Sequence, residues 1–137
     1  MSSEQSSRLI AIVDDDQSVQ SALQDLIESE GLSTVCFGSA EEFLDSGAQN
    51  EAACLIADIR MPGMSGIELQ SKLKADRCRI PIILITAHGD AKMRIQAMRD
   101  GAVEFLTKPF DSAVLLETVH AAVEDHAKAL RSRDPNR

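Results

Sequence analysis

The chain has 137 residues, enough for one domain with a single sizeable core, and 44% of them are hydrophobic. No apolar run approaches the roughly 20 residues of a membrane span, and a formal net charge of −8 argues against direct contact with DNA phosphates, which takes clustered Lys and Arg. With no Trp and no Tyr, the chain also offers few stacking platforms for bases or flavin rings.

Residues 1–7 are Ser-rich and polar, without the apolar core of a signal peptide, and read as a disordered start to a cytoplasmic protein. Residues 9–13 form the first apolar, β-branched run and end at Asp14-Asp15-Asp16. Val19, Ala22, Leu23, Leu26 and Ile27 follow at helical spacing until Gly31 stops them. Val35-Cys36-Phe37 is a second apolar run, and Ser39-x-x-Glu42 is a capping-box pattern that starts a second helix. A strand at 53–57 ends at Asp58; Ser65-x-x-Glu68 opens a third helix. A strand at 80–85 ends at Thr86, and Asp90 caps a fourth helix that runs to Asp100-Gly101. A last strand at 102–106 leads to Lys108, and Asp111 caps a fifth helix with Val114, Leu115, Val119, Ala122 and Val123 as its inward stripe. From His126 the pattern fades, so that 8–127 reads as the domain and 128–137 as a charged tail or linker.

Strand and helix thus alternate about five times, which predicts an α/β fold: a parallel sheet with helices on both faces. In such a sheet the strand ends of one polarity share an edge, and ligands bind in the crevice outside it. Asp14, Asp15, Asp58, Thr86 and Lys108 all stand at those ends. Two carboxylates about 5 Å apart repel by roughly 3 kcal/mol at an effective dielectric near 20, so the acids need a cation or a proton. Mg²⁺ suits them, being hard and oxygen-seeking, with Mn²⁺ an alternative. A carboxylate can attack phosphorus to give an acyl phosphate, with Lys108 and the Thr86 hydroxyl stabilising the phosphoryl oxygens.

Ile12-Val13-Asp14-Asp15-Asp16, the run from Asp58-Ile59-Arg60-Met61-Pro62 to Gly63-Met64-Ser65-Gly66, Thr86-Ala87 and Lys108-Pro109-Phe110 together resemble a response regulator receiver domain of two-component signalling. Arg60-Met61-Pro62 with Thr86-Ala87-His88-Gly89-Asp90 is most similar to the nitrogen-fixation-regulator type. The resemblance implies a five-stranded, doubly wound, flavodoxin-like fold with five helices. It makes Asp58 both the phosphoacceptor and a metal ligand, Asp14 and Asp15 the metal-binding acidic pair with Asp15 favoured as the direct ligand, and the Arg60 backbone carbonyl a further ligand. Asp16 leaves a second pairing open, although Ile12-Val13 directly before Asp14 favours Asp14-Asp15. Thr86 becomes the switch hydroxyl, Lys108 the phosphate-binding amine on a cis bond to Pro109, and Phe105 the aromatic switch. Lacking a hydroxyl, Phe105 can report only by packing, filling space that Thr86 vacates. Arg60 and His88 flank the site and are expected to set the lifetime of the phosphoryl group. The implied partners are a sensor histidine kinase, a phosphorylation-dependent second copy of the chain, and an effector domain or output protein that controls transcription. The alternative is a stand-alone receiver that acts by protein contact or as a phosphorelay intermediate. Either way it is a signalling domain that assists its own phosphoryl transfer and is not an enzyme.

Other classes fit less well. Asp14-x-Asp16 superficially matches a haloacid-dehalogenase-like phosphatase, yet Gln17-Ser18 follow where that family has a Gly-containing turn. A flavodoxin-like flavin module would need a phosphate loop and stacking aromatics; a pseudo-receiver would lack one of the five site residues. Cys36 and Cys54 read as small core residues and Cys78 as a loop residue, with no metal-ligand spacing among them. His88, His120 and His126 read as surface histidines. Met93, Ile95, Ala97 and Met98 cannot all face the core from one helix, so some apolar surface should be exposed there.

Overall fold

The computed structural model describes residues 8–132, with side chains through Lys128. The expected disordered start and the tail beyond Ser132 lie outside the described residues. Five strands form one parallel sheet: β1 (Leu9–Val13), β2 (Ser33–Phe37), β3 (Cys54–Asp58), β4 (Ile82–Thr86) and β5 (Glu104–Thr107). Their order is β2-β1-β3-β4-β5, which makes β5 an edge strand. The helices are α1 (Gln17–Glu28), α2 (Ala40–Ser46), α3 (Gly66–Ala75), α4 (Ala91–Arg99) and α5 (Ser112–Ser132), with a 3-10 turn at Ala48–Asn50. This is the expected five-stranded, doubly wound architecture.

The fold is sandwiched because successive strand residues point to opposite faces. Ala11, Val13, Leu55, Ala57 and Leu84 pack with Phe43, Leu69, Leu73 and Ala97, so α2, α3 and α4 cover one face. Ile10, Ile12, Ile56, Ile83 and Ile85 pack with Leu23, Ile27, Leu115 and Val119, so α1 and α5 cover the other. A sheet buried on both sides explains why its strands read as continuous apolar runs.

The expected helix starts are capped as the sequence suggests. Ser65 accepts from the Glu68 N–H while Glu68 returns to the Ser65 N–H, a complete capping box. Ser39 accepts from the Glu42 N–H, Asp90 from the Met93 N–H, and Asp111 from Ala113 and Val114.

Some boundaries differ. Three strands end one residue later than the apolar runs, because Asp58 still pairs with Ile85 and Thr86 with Thr107 in the ladder. β4 starts at Ile82 because Pro81 has no N–H to give a neighbouring strand. Helix α5 continues past His126 to Ser132; Ala127, Lys128, Ala129, Leu130 and Arg131 are all good helix formers, so it propagates after its inward stripe ends. Val114 and Ala22 are exposed rather than inward, since the stripes of α5 and α1 are narrower than apolar spacing alone suggests.

Candidate functional site

The strand ends deliver the candidate residues to one edge. Asp58 and Thr86 are the last residues of β3 and β4, Asp14 directly follows β1, and Lys108 follows β5. Asp14, Asp58 and Thr86 are buried, Asp15 is exposed, and Lys108 is half-buried. One carboxylate oxygen each from Asp14, Asp15 and Asp58 lies within 4.8 Å of the others. The Lys108 ammonium stands 3.4 Å from Asp14 Oδ2 and 3.5 Å from Asp58 Oδ2, so it bridges the two buried acids. The Lys108-Pro109 bond is cis, and the Lys108 N–H donates to the Thr86 carbonyl at 2.8 Å.

Burial pushes the Asp14 carboxyl above its ordinary value. The Asp16 N–H, donating to Asp14 Oδ1 at 2.9 Å, pulls the other way; the Asp58 charge adds to the rise and Lys108 opposes it. A hard, oxygen-seeking cation would relieve this repulsion, and carboxylate oxygens are the kind of donor such an ion takes, with water or phosphate oxygens completing its shell. The residues present therefore fit Mg²⁺.

Asp16 takes no part in the cluster. Its side chain accepts from the Ser18 N–H at 2.9 Å and the Ser18 hydroxyl at 2.6 Å, capping α1. Those two bonds hold its carboxyl below the usual carboxylate range. The two pairings that the run of three acids leaves open are thus separated by geometry: Asp14 and Asp15 face Asp58, and Asp16 serves the helix.

Arg60 and His88 are exposed in the loops after β3 and β4. The Arg60 N–H donates to Asp58 Oδ1 at 3.3 Å, and the His88 N–H to Thr86 Oγ1 at 3.2 Å. Phe105 is only 2% exposed. Its ring packs against Gly89, where an added Cβ would stand 2.7 Å from Phe105 Cε1 and 2.9 Å from the Thr86 methyl. The ring is therefore already inside, and no inward swing of Phe105 remains to be made from this position. Away from the site, Cys54 is buried and its thiol is pushed up to about 12 by desolvation, and His120 pairs with Glu30 at 3.0 Å.

Sequence reasoning gave no role to three residues around the acids. Gly66 is needed because a Cβ there would stand 2.5 Å from the Asp58 carbonyl. Gly89 leaves room for the Phe105 ring. Gln20 donates to the Asp14 carbonyl at 2.6 Å and the Phe37 carbonyl at 3.2 Å. Only the glycines carried a signal, as members of the quoted motifs.

A response regulator receiver domain model matches residues 10–120. Nodulation protein W of Bradyrhizobium diazoefficiens is 45% identical over 88% of this chain and 53% of its own length. TodT, a response regulator protein of Pseudomonas putida, is 47% identical over 85% of this chain and 51% of its own. The chain thus spans about half the length of these curated relatives. Among solved structures, the response regulator StyR superposes with a TM-score of 0.85 at 42% identity, over 93% of this chain and 65% of that one. The crystal structure of FixJ-N gives 0.76 at 38% identity, over 85% of this chain and 93% of that one.

Proposed function

Because the chain belongs to the response regulator receiver family, we propose that it takes a phosphoryl group from a sensor histidine kinase onto Asp58 in a Mg²⁺-dependent reaction. The observation that carries this reading is the packing of the Asp14, Asp15 and Asp58 carboxylates within 4.8 Å beside the Lys108 ammonium and the buried Thr86. An Asp58 oxygen attacks phosphorus while the P–N bond of the donor phosphohistidine breaks, leaving its electron pair on the imidazole nitrogen. Asp14, Asp15 and Asp58 would hold the cation with the Arg60 carbonyl, and when bound it would supply charge neutralisation at the phosphoryl oxygens. Lys108, already between Asp14 and Asp58, turns to a phosphoryl oxygen. The Thr86 hydroxyl accepts from the His88 N–H and keeps its own proton for the new dianion.

The signal then leaves through α4, β5 and α5, a face we read as the contact for a second copy or for an effector domain that controls transcription. Relatives about twice as long as this chain support an effector outside it. A stand-alone receiver, acting by protein contact or as a phosphorelay intermediate, is the second reading. A net charge of −8 speaks against DNA contact by this segment. No described helix is long and apolar enough to cross a membrane, and a cytoplasmic location suits the proposed kinase partner.

Incubation with acetyl phosphate and Mg²⁺, followed by intact-mass measurement, tests the chemistry. One phosphoryl adduct is expected in the wild type and none in Asp58→Ala; a persistent adduct in that variant overturns the assignment. Arg60→Ala and His88→Ala should form the adduct and lose it at altered rates. Half-lives within twofold of wild type, no more than about 0.4 kcal/mol in the barrier, remove both residues from lifetime control.

A further inference from the structure

The Asp15 carboxylate is exposed and, among the described residues, takes no hydrogen bond. With no side-chain partner to hold it, only its Cα–Cβ vector is fixed, and the peptide between Asp14 and Asp15 decides whether that vector projects toward Asp14 and Asp58. That peptide's carbonyl is held by one side chain. Gln20, half-buried in the first turns of α1, donates from Nε2 to the Asp14 carbonyl at 2.6 Å and to the Phe37 carbonyl at 3.2 Å. Both partners only accept, so the amide nitrogen, and not its oxygen, must face them. Phe37 ends β2, and its carbonyl also takes the Asp14 N–H at 3.1 Å. One amide thus fastens the β1 end, the β2 end and α1 together where the sheet ladder stops, directly behind the acidic pair.

We propose that Gln20 is a positioning residue for the cation site: it fixes the Asp14-Asp15 peptide plane and so aims Asp15 at the ion. The inference rests on the cation reading given above. It is distinct from a contribution to folding because Mg²⁺ and Ca²⁺ answer differently to geometry. Mg²⁺ demands near-ideal octahedral donors, whereas Ca²⁺ tolerates variable ones. Misaiming one carboxylate should therefore cost Mg²⁺ more than Ca²⁺, while lost charge or lost fold costs both.

Calorimetric titration of the whole chain with each ion tests this in wild type, Gln20→Met, which keeps the side-chain length without donors, and Asp15→Asn. Gln20→Met should weaken Mg²⁺ binding by roughly tenfold, as outer-shell partners of metal ligands do, and leave Ca²⁺ binding within about twofold. Asp15→Asn should weaken both. Unchanged Mg²⁺ affinity in Gln20→Met, or a parallel fall for both ions, overturns the role of Gln20 and leaves the cation site standing. No binding of either ion to wild type, or wild-type binding by Asp15→Asn, brings down the cation reading and this inference with it. If circular dichroism finds Gln20→Met unfolded, Gln20→Ala replaces it under the same criteria. Unfolding of both variants overturns the proposal, because the side chain would then be a requirement of the fold.

Discussion

Asp14 carries the tension between stability and function. Its carboxyl is buried, and burial is the largest cause of its raised pKa. A group that holds its proton more tightly folded than unfolded favours the folded state at low pH, and that contribution is lost as pH rises through the folded pKa. At neutral pH, without a cation, the ionised Asp14 is therefore a cost that Lys108 and the Asp16 N–H only partly offset. Asp14→Asn keeps the shape and removes the charge. We expect it to raise the melting temperature of the metal-free protein by a few degrees, about 1 kcal/mol, and to weaken Mg²⁺ binding. Thermal melts in EDTA decide it: a lower melting temperature than wild type would mean that the Lys108 pair outweighs the burial.

Helix α4 is tied to β5 at one point that bears on switching. As an edge strand, β5 leaves backbone groups without a neighbouring strand, yet both polar groups of Phe105 are occupied. Its N–H donates to Glu104 Oε1 at 2.9 Å, its carbonyl accepts from Arg94 Nη1 at 2.9 Å, and Arg94 Nη2 stands 3.3 Å from the same Glu104 oxygen. The ring of hydrogen bonds joins α4 to the backbone of the residue whose side chain lies beside Gly89 and Thr86. Being half-exposed, the ion pair itself is worth under about 1 kcal/mol. Arg94→Ala should therefore barely move global stability but speed amide exchange in 91–107. Exchange there equal to wild type would dismiss the latch. This arrangement could not be read from the sequence, because Arg94 and Glu104 are ordinary surface charges until α4 is docked. What could be read is what periodicity and topology settle. β-branched runs locate the strands, and parallel strands must bring Asp14, Asp58, Thr86 and Lys108 to one edge. Asp16 and Gln20 escaped because their roles depend on where α1 begins relative to that edge, which a repeating apolar pattern fixes only within a residue or two.

The molecule as a whole is asymmetric in what it shows to solvent. Its exposed large apolar side chains among the described residues are Ile95, Met98, Val103 and Val114, at 57%, 37%, 38% and 39% exposure, and all four lie on or beside α4, β5 and α5. Helix α4 carries Lys92, Arg94 and Arg99 with no acid, while α5 exposes Glu117, Glu124 and Asp125 along with Lys128 near its end. A two-fold contact on this face, as proposed, would set basic side chains of α4 in one copy against acidic side chains of α5 in the other, around an apolar centre. Two chains of net charge −8 repel at long range, but contact pairs outlast that repulsion at ordinary ionic strength, where charges beyond about 10 Å are screened. The proposed dianion at Asp58 would give Thr86 and Lys108 a partner that exists only in the modified state, and such differential contact can shift a conformational equilibrium. With the Phe105 ring already buried, the proposed switch acts on α4 and its latch to β5. Light scattering with beryllofluoride and Mg²⁺ should therefore report a dimer that the unmodified chain does not form. Ile95→Lys should abolish that dimer while leaving phosphoryl uptake at Asp58 unchanged. A monomer under both conditions, with exchange changes confined to the surroundings of Asp58 and none across 90–120, would place the output surface elsewhere.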